Sequence, residues 1–147
     1  MKIIISSLFF FINSNLFSIE KIQADPKITN LVNQLAEFIS IEDESTRIQK
    51  LLLIVHDSMK TDDKKDLNSN IKQFSYKKAV SGISRYKIPI ELGEVHKGKL
   101  VTINSIKGRR DKYFIKKKEG VSGLPAPIHI FIPEDGSEAK IIDFGSI

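Results

Sequence analysis

The chain has 147 residues, a length that fits one domain. Its composition is 41% hydrophobic and 28% charged, which is ordinary for a globular protein and unlike a disordered one. There is no cysteine, so disulfides, thiolate metal sites, cysteine nucleophiles and acylation of an N-terminal cysteine are excluded.

The first 24 residues have the pattern of a secretory signal peptide. Lys2 precedes an apolar run at Ile3–Ile12, and Ala24 supplies a small residue before a cleavage point. The alternative is a permanent membrane anchor, but the run is much shorter than the roughly 20 residues that a spanning helix needs. We therefore predict that residues 1–24 are a signal peptide cleaved after Ala24 or nearby. The mature protein is expected to be periplasmic or secreted, without a transmembrane segment.

The remaining residues, 25–147, are predicted to form a single domain whose helical part covers 25–80. Asp25-Pro26 is typical of a helix start, with Asp as the N-cap and Pro at the first helical position. The apolar residues of the first helix recur at the spacing of one helix face. They are Ile28, Leu31, Val32, Leu35 and Ile39.

Two further helices are predicted by capping signals. Thr46 and Gln49 have the form of a capping box, so we place the start of the second helix near Thr46. The apolar stretch Leu51–Val55 gives this helix a face that is expected to lie in the core. A third, thinner apolar stripe follows Thr61, which we interpret as its N-cap.

The β part, 83–147, has an apolar period of two residues. We predict turns at Gly93–Gly98 and Gly108, and a solvent-facing side chain for His129. The predicted fold class is α+β, with two or three N-terminal amphipathic helices before a five-stranded, mainly antiparallel sheet, a small sandwich or a partly open barrel. The predicted strands are Arg85–Leu92, Lys99–Ile106, Lys112–Lys117, Ile128–Ile132 and Ala139–Phe144.

The most distinctive stretch is Lys107–Lys118, with seven basic residues in twelve positions. Residues 25–75 hold seven basic and nine acidic residues, whereas residues 76–147 hold fourteen and eight. This asymmetry predicts a positive field on the β part, which attracts polyanions.

We predict an anion-binding site in this stretch. Lys112 and Lys116 share one face of a strand, at about 7 Å for each two-residue step, and Arg109 and Arg110 are expected in the preceding turn. The alternative is a solvated, lysine-rich edge strand that prevents edge-to-edge association. The predicted site residues are Arg109, Arg110, Lys112, Lys116, Lys117 and Lys118.

The sequence contains no recognisable catalytic motif. The three histidines, His56, His96 and His129, are too far apart for metal-ligand spacing. We therefore predict no catalytic residue, no metal and no cofactor, and enzymatic activity has no support in the sequence.

The function predicted first is an exported, non-enzymatic binding module for an anionic polymer or membrane surface. Export argues against intracellular nucleic acid as the partner. A first alternative is a cell-envelope module that binds another protein through the loop Val121–Pro127, where Leu124 lies between Gly123 and Pro125. A second alternative is a small hydrolase without a recognisable motif.

Overall fold

The computed structural model describes residues 25–147, so the predicted signal peptide lies outside the described residues. None of the helices in this range has the length and apolar character required to cross a bilayer. The helical elements are α1 (Pro26–Ile39), α2 (Glu44–Ile54), a 3-10 turn (Asp57–Met59), α3 (Ser69–Ile71), a π-helical turn (Lys72–Tyr76), α4 (Lys77–Gly82) and a second 3-10 turn (Ile83–Arg85).

Helix α1 forms as its sequence predicts. The Asp25 carboxylate caps the helix by accepting a hydrogen bond from the Lys27 backbone N–H at 2.9 Å, and Pro26 occupies the first turn. Every apolar residue of the predicted stripe is buried. The first helix is therefore confirmed in both its start and its buried face.

The later helices begin elsewhere than predicted. The N-cap of α2 is Asp43, whose carboxylate accepts from the Thr46 backbone N–H at 2.7 Å, so Thr46 lies inside the first turn. The helical stretch from α3 to the second 3-10 turn begins after Asn68 and not after Thr61. The Thr61 hydroxyl bonds Asp63 within a local turn instead. In α2, Leu51 and Ile54 are buried as expected, but Leu53 is exposed.

The strands form one antiparallel sheet, in which the end strands β1 and β5 are not paired with each other. The predicted α+β class and five-stranded antiparallel sheet are confirmed. Strands β1 and β2 both pair with one side of β3, then β4 and β5 follow in sequence. The strands are β1 (Leu92–His96), β2 (Leu100–Ile103), β3 (Ile106–Ile115), β4 (Ala126–Pro133) and β5 (Lys140–Asp143).

The prediction of a strand at Arg85–Leu92 is wrong, because the first strand lies where we expected a turn. Before it the chain packs on the helices: Tyr86 and Ile90 are buried, whereas Ile88 is exposed. The Ile90 backbone N–H donates to the Asn33 side chain of α1 at 2.6 Å. Alternating apolar residues here pack into the core with the helices, and the segment pairs with the chain beyond β3 at an isolated bridge between Tyr86 and Lys117 and not in a continuous ladder.

The prediction of a turn at Gly108 is also wrong. The chain reverses at Asn104 and Ser105, which both have positive φ, as a two-residue hairpin requires. Gly108 lies within β3. Its lack of a side chain leaves room for the Phe131 ring, which lies 2.5 Å from the position that a Cβ atom would take. Arg109 and Arg110 therefore lie within a strand.

The two faces of the sheet have different surroundings. On the inner face, Tyr113, Ile115 and Ile130 belong to the same hydrophobic core as the helices. The outer face is largely open to solvent. Its buried residue Phe131 lies outside that core and packs edge-on against His56, with ring centroids 5.4 Å apart.

Candidate functional site

Strand β3 divides the predicted anion-binding residues between the two faces, because successive side chains of a strand point in opposite directions. Arg110, Lys112 and Phe114 point to the outer face, and Lys116 continues this alternation just after the strand. We call Arg110, Lys112, Phe114 and Lys116 the outer row. Arg109 points to the inner face. The register with β4 pairs Lys112 with His129 and Arg109 with Ile132, which fixes both faces.

One end of the outer row is a charged cluster with β4 and β5. The His129 Nδ1 lies 3.2 Å from Arg110 Nη2 and 3.3 Å from Asp143 Oδ2, so the ring tautomer decides which hydrogen bond forms. The contact with His129 lowers the pKa of Asp143, although burial opposes this shift. The prediction that His129 faces solvent is wrong, since its side chain is only 13% exposed.

The middle of the outer row carries an uncompensated cation. Lys112 is exposed and makes no side-chain hydrogen bond or ion pair within residues 25–147. It lies between two imidazoles, since the register places His96 of β1 on one side and His129 on the other. His96 pairs with Glu94 and packs edge-on against Phe114 at 4.8 Å.

The remaining lysines lie beyond the end of β3. Lys116 forms an ion pair with Glu91 at the surface. The Lys117 Nζ donates to the Ser122 carbonyl at 2.9 Å. Lys118 lines a separate groove of about 520 Å³ beside Tyr86. Arg110 and Lys112 thus share the outer face of β3, Lys116 extends the same alternation beyond the strand, and Lys117 and Lys118 lie outside the outer row.

Arg109 has a different environment from the other cations. Its Nε and Nη2 donate to the two oxygens of Asp111 at 2.6 Å and 2.8 Å. Asp111 is fully buried and also accepts from the Gly98 backbone N–H at 2.9 Å. This pairing keeps the pKa of Arg109 above its usual value. Arg109 is therefore tied to the inner face and is separated from the outer row by the sheet.

Sequence reasoning missed the partners of the outer row, because they come from other strands. His96, His129 and Asp143 reach the row through strand register, which period-two alternation does not reveal. The sequence signal that could have revealed one of these partners was the position of His129 within an otherwise apolar strand. Within residues 25–147 there is no group of three or more potential ligand side chains able to hold a metal ion.

Comparisons with protein-family models, with curated proteins and with solved structures found no match for this chain.

Proposed function

We propose that the protein is an exported, non-enzymatic binding module that holds an anionic polymer along the outer row. The observation that carries this proposal is that Arg110 and Lys112 share one open face of β3, with Lys116 next in the same alternation just beyond the end of the strand. Steps of two residues separate neighbouring side chains by about 7 Å. An extended polymer with repeated phosphate, sulfate or carboxylate groups fits such a line of cations.

Protection of a sheet edge does not account for these cations. Lysines that block association belong on an edge strand, where unpaired backbone groups are exposed. Strand β3 is an interior strand, paired with β1 and β2 on one side and with β4 on the other. The cations of the outer row thus need another explanation, and binding supplies one.

The charges of the outer row are available to a ligand. Lys112 is uncompensated, and the carboxylates that face Arg110 and Lys116 are at the surface, with side chains 34% and 55% exposed. Exposed ion pairs contribute only about 0–1 kcal/mol, so an incoming anion competes with them at low cost.

A polymer is favoured over a membrane surface as the partner. Peripheral membrane binding combines cations with apolar side chains that enter the lipid. The large exposed apolar residues of the described chain do not belong to the outer row. They are Leu53, Phe74, Ile88, Leu100, Val121 and Leu124.

The test compares two double variants with equal charge. Arg110→Gln/Lys112→Gln removes two cations of the outer row, whereas Lys50→Gln/Lys78→Gln removes two exposed helical cations. Affinity for heparin is measured as a function of salt concentration. We expect the outer-row variant to bind more weakly and to lower the slope of log affinity against log salt by about 2, since each contacting cation contributes about 1.

The control variant should retain both the affinity and the slope. Equal losses in both variants would show diffuse attraction without a site. If heparin, lipopolysaccharide and single-stranded DNA all fail to retain the protein at low salt, the proposed function is wrong.

A second candidate function is protein binding through the loop Val121–Pro127. The observation that favours it is Leu124, an apolar side chain that is 87% exposed on this loop. Association of this kind survives high salt, unlike polyanion binding. The substitution Leu124→Ser should abolish a salt-resistant complex with a partner protein, as measured by sedimentation. The substitution Ser122→Ala in the same loop should leave that complex intact.

A further inference from the structure

A cleft of about 920 Å³ opens on the inner face of the sheet, away from the outer row. Its floor is formed by three successive inner positions of β3: Arg109, Asp111 and Tyr113. The first turns of α1, the end of α2 and the loop between β4 and β5 form its walls. The helices cover the inner face around Ile115 and Ile130 but leave this end open.

The floor offers a fixed guanidinium edge. Both oxygens of Asp111 are occupied by Arg109 and by the Gly98 backbone N–H. Asp111 therefore neutralises Arg109 and orients it, without offering a free acceptor to a ligand. The Arg109 Nη1 has no partner among the described residues, and the side chain is 36% exposed. This nitrogen remains able to donate to an anion.

The floor also carries a hydroxyl without a partner. Tyr113 is only 5% exposed, yet its hydroxyl makes no hydrogen bond with any residue of the described chain. The hydroxyl oxygen is not fully enclosed by protein atoms, so it opens onto the cleft that the Tyr113 side chain lines. The hydroxyl is protonated at neutral pH and able to donate, and burial together with the negative charges of Asp111 and Asp25 raises the pKa of Tyr113 to about 12.

The rim and walls of the cleft indicate the chemical character of the ligand that would fit it. Lys27 and Lys97 line the cleft and form no side-chain hydrogen bond or ion pair within residues 25–147. The walls include the apolar side chains of Ile28, Leu31 and Ile132. The carboxylates of Asp25 and Glu138 also line the cleft, but Asp25 caps α1 and Glu138 pairs with Lys140. The cationic and donor groups that have no partner, with the apolar walls, match a molecule that has an acidic end and an apolar body.

We propose that this cleft binds a small amphipathic anion, with its acidic group on Arg109 and the Tyr113 hydroxyl and its apolar body against Ile28 and Leu31. The site is distinct from the outer row and does not depend on polyanion binding. Tyr113 supplies specificity for the acidic group, since it loses no intramolecular bond when it donates to a ligand. Lys27 and Lys97 contribute long-range attraction at the rim.

The test uses decanoate, its neutral counterpart decanol, and the full chain. Isothermal titration should show saturable binding of decanoate below its micelle-forming concentration, and binding of decanol at least about tenfold weaker. Tyr113→Phe should weaken decanoate binding about tenfold, as expected for a lost hydrogen bond to a charged group. Its urea midpoint should equal that of the wild type, because the hydroxyl has no partner in the protein.

Two further variants complete the design. Tyr86→Phe changes another buried tyrosine, which lies outside this cleft, and should bind decanoate like the wild type. Lys97→Gln changes an exposed rim residue without a partner and should weaken binding about twofold to threefold by reducing attraction.

The proposal is overturned if decanol binds as tightly as decanoate, because the acidic group is then not recognised. It is also overturned if decanoate does not bind, or if both Tyr113→Phe and Lys97→Gln bind it like the wild type. Heparin affinity should be unchanged in Tyr113→Phe, so failure here and failure of the outer-row proposal are separate results.

Discussion

Arg109 and Arg110 are neighbours in the chain, yet they lie in opposite regions of the molecule. Arg109 faces the inner side of the sheet and is held by two hydrogen bonds to the buried carboxylate of Asp111. Arg110 faces the open outer side, with its side chain 48% exposed and 3.9 Å from Asp143. The difference shows that a run of basic residues in a strand divides into two groups with separate roles.

The inner pair and the outer pair also differ energetically. A buried carboxylate without its partner is a charge removed from water, which is costly. An exposed carboxylate without its partner regains water, so little stability is lost. We therefore expect the Arg109–Asp111 pair to govern stability and the outer row to govern polyanion binding.

The largest expected effect tests this division directly. Arg109→Met leaves Asp111 without its ion-pair partner and should lower the free energy of unfolding by about 3 kcal/mol. We take the lower end of the destabilisation expected when one partner of a buried ion pair is removed, because Arg109 is partly exposed. Arg110→Met should cost less than about 1 kcal/mol. Urea denaturation measures both values.

A double variant sharpens the same comparison. Arg109→Met/Asp111→Asn removes the uncompensated charge but keeps an acceptor for the Gly98 N–H, so it should recover most of the lost stability. Equal losses for Arg109→Met and Arg110→Met would contradict the division between the faces.

A smaller effect on stability is expected from alanine substitution at Gly98, which bonds Asp111, than from loss of Arg109, and almost none at Gly93, which lies beside Lys116. A methyl group on Gly98 would collide with the carbonyl of Arg110, so Gly98→Ala should cost about 1–3 kcal/mol, as overpacking does. At Gly93 the nearest atom is in the flexible side chain of Lys116, at 3.4 Å. Gly93→Ala should therefore be nearly neutral. Thermal unfolding compares the two, and similar melting temperatures would show that the Gly98 approach is not tight.

A pH effect is expected where His56 covers one corner of the outer face. Burial lowers the pKa of His56, so the unfolded chain binds a proton more readily than the folded one. Stability should therefore fall as the pH drops below 6.5, the ordinary value, and level off below the folded pKa. The His56 Nδ1 accepts from the Ser58 N–H at 3.1 Å, and asparagine offers an oxygen in a similar place. His56→Asn should flatten this part of a stability-versus-pH curve.

The smallest effect belongs to the half-buried carboxylate of Asp143 on the outer face. The pKa of Asp143 is lowered by His129, so its contribution is present above the unfolded value of 3.8 and lost as the pH falls through the folded value. Asp143→Asn should be less stable than the wild type by under about 1 kcal/mol at pH 6. The difference should vanish near pH 2; a difference that persists there would indicate loss of packing and not of charge.

Part of the fold follows from local sequence signals. The Asp25-Pro26 start and the stripe of α1 were predicted correctly, because capping and helical spacing depend on nearby residues. The strand prediction at Arg85–Leu92 failed since its apolar residues meet a helix that lies far away in sequence. The predicted turn at Gly108 was wrong because this glycine makes room for the Phe131 ring of the neighbouring strand, a contact that the local sequence does not reveal.

The candidate sites were less predictable than the fold. Alternation put Lys112 and Phe114 on one face, as the register with β4 shows, but it gave no information about His96 opposite Lys112 or about Asp143 opposite His129. Asp111 was visible only as one acid among basic residues, and its burial depends on the complete sheet. The cleft was not predictable, because it arises where α1 stops covering β3.

The free edge of the sheet has a consequence for self-association. Between His96 and Leu100, three residues lie opposite only Arg110 and Asp111 of β3, so the edge contains a bulge. This bulge carries the exposed Lys97 and Lys99. An irregular, charged edge is a poor template for another chain. Within residues 25–147, β1 and β2 have no neighbouring strand on that side, so this charged bulge is the feature that disfavours the joining of sheets from two copies.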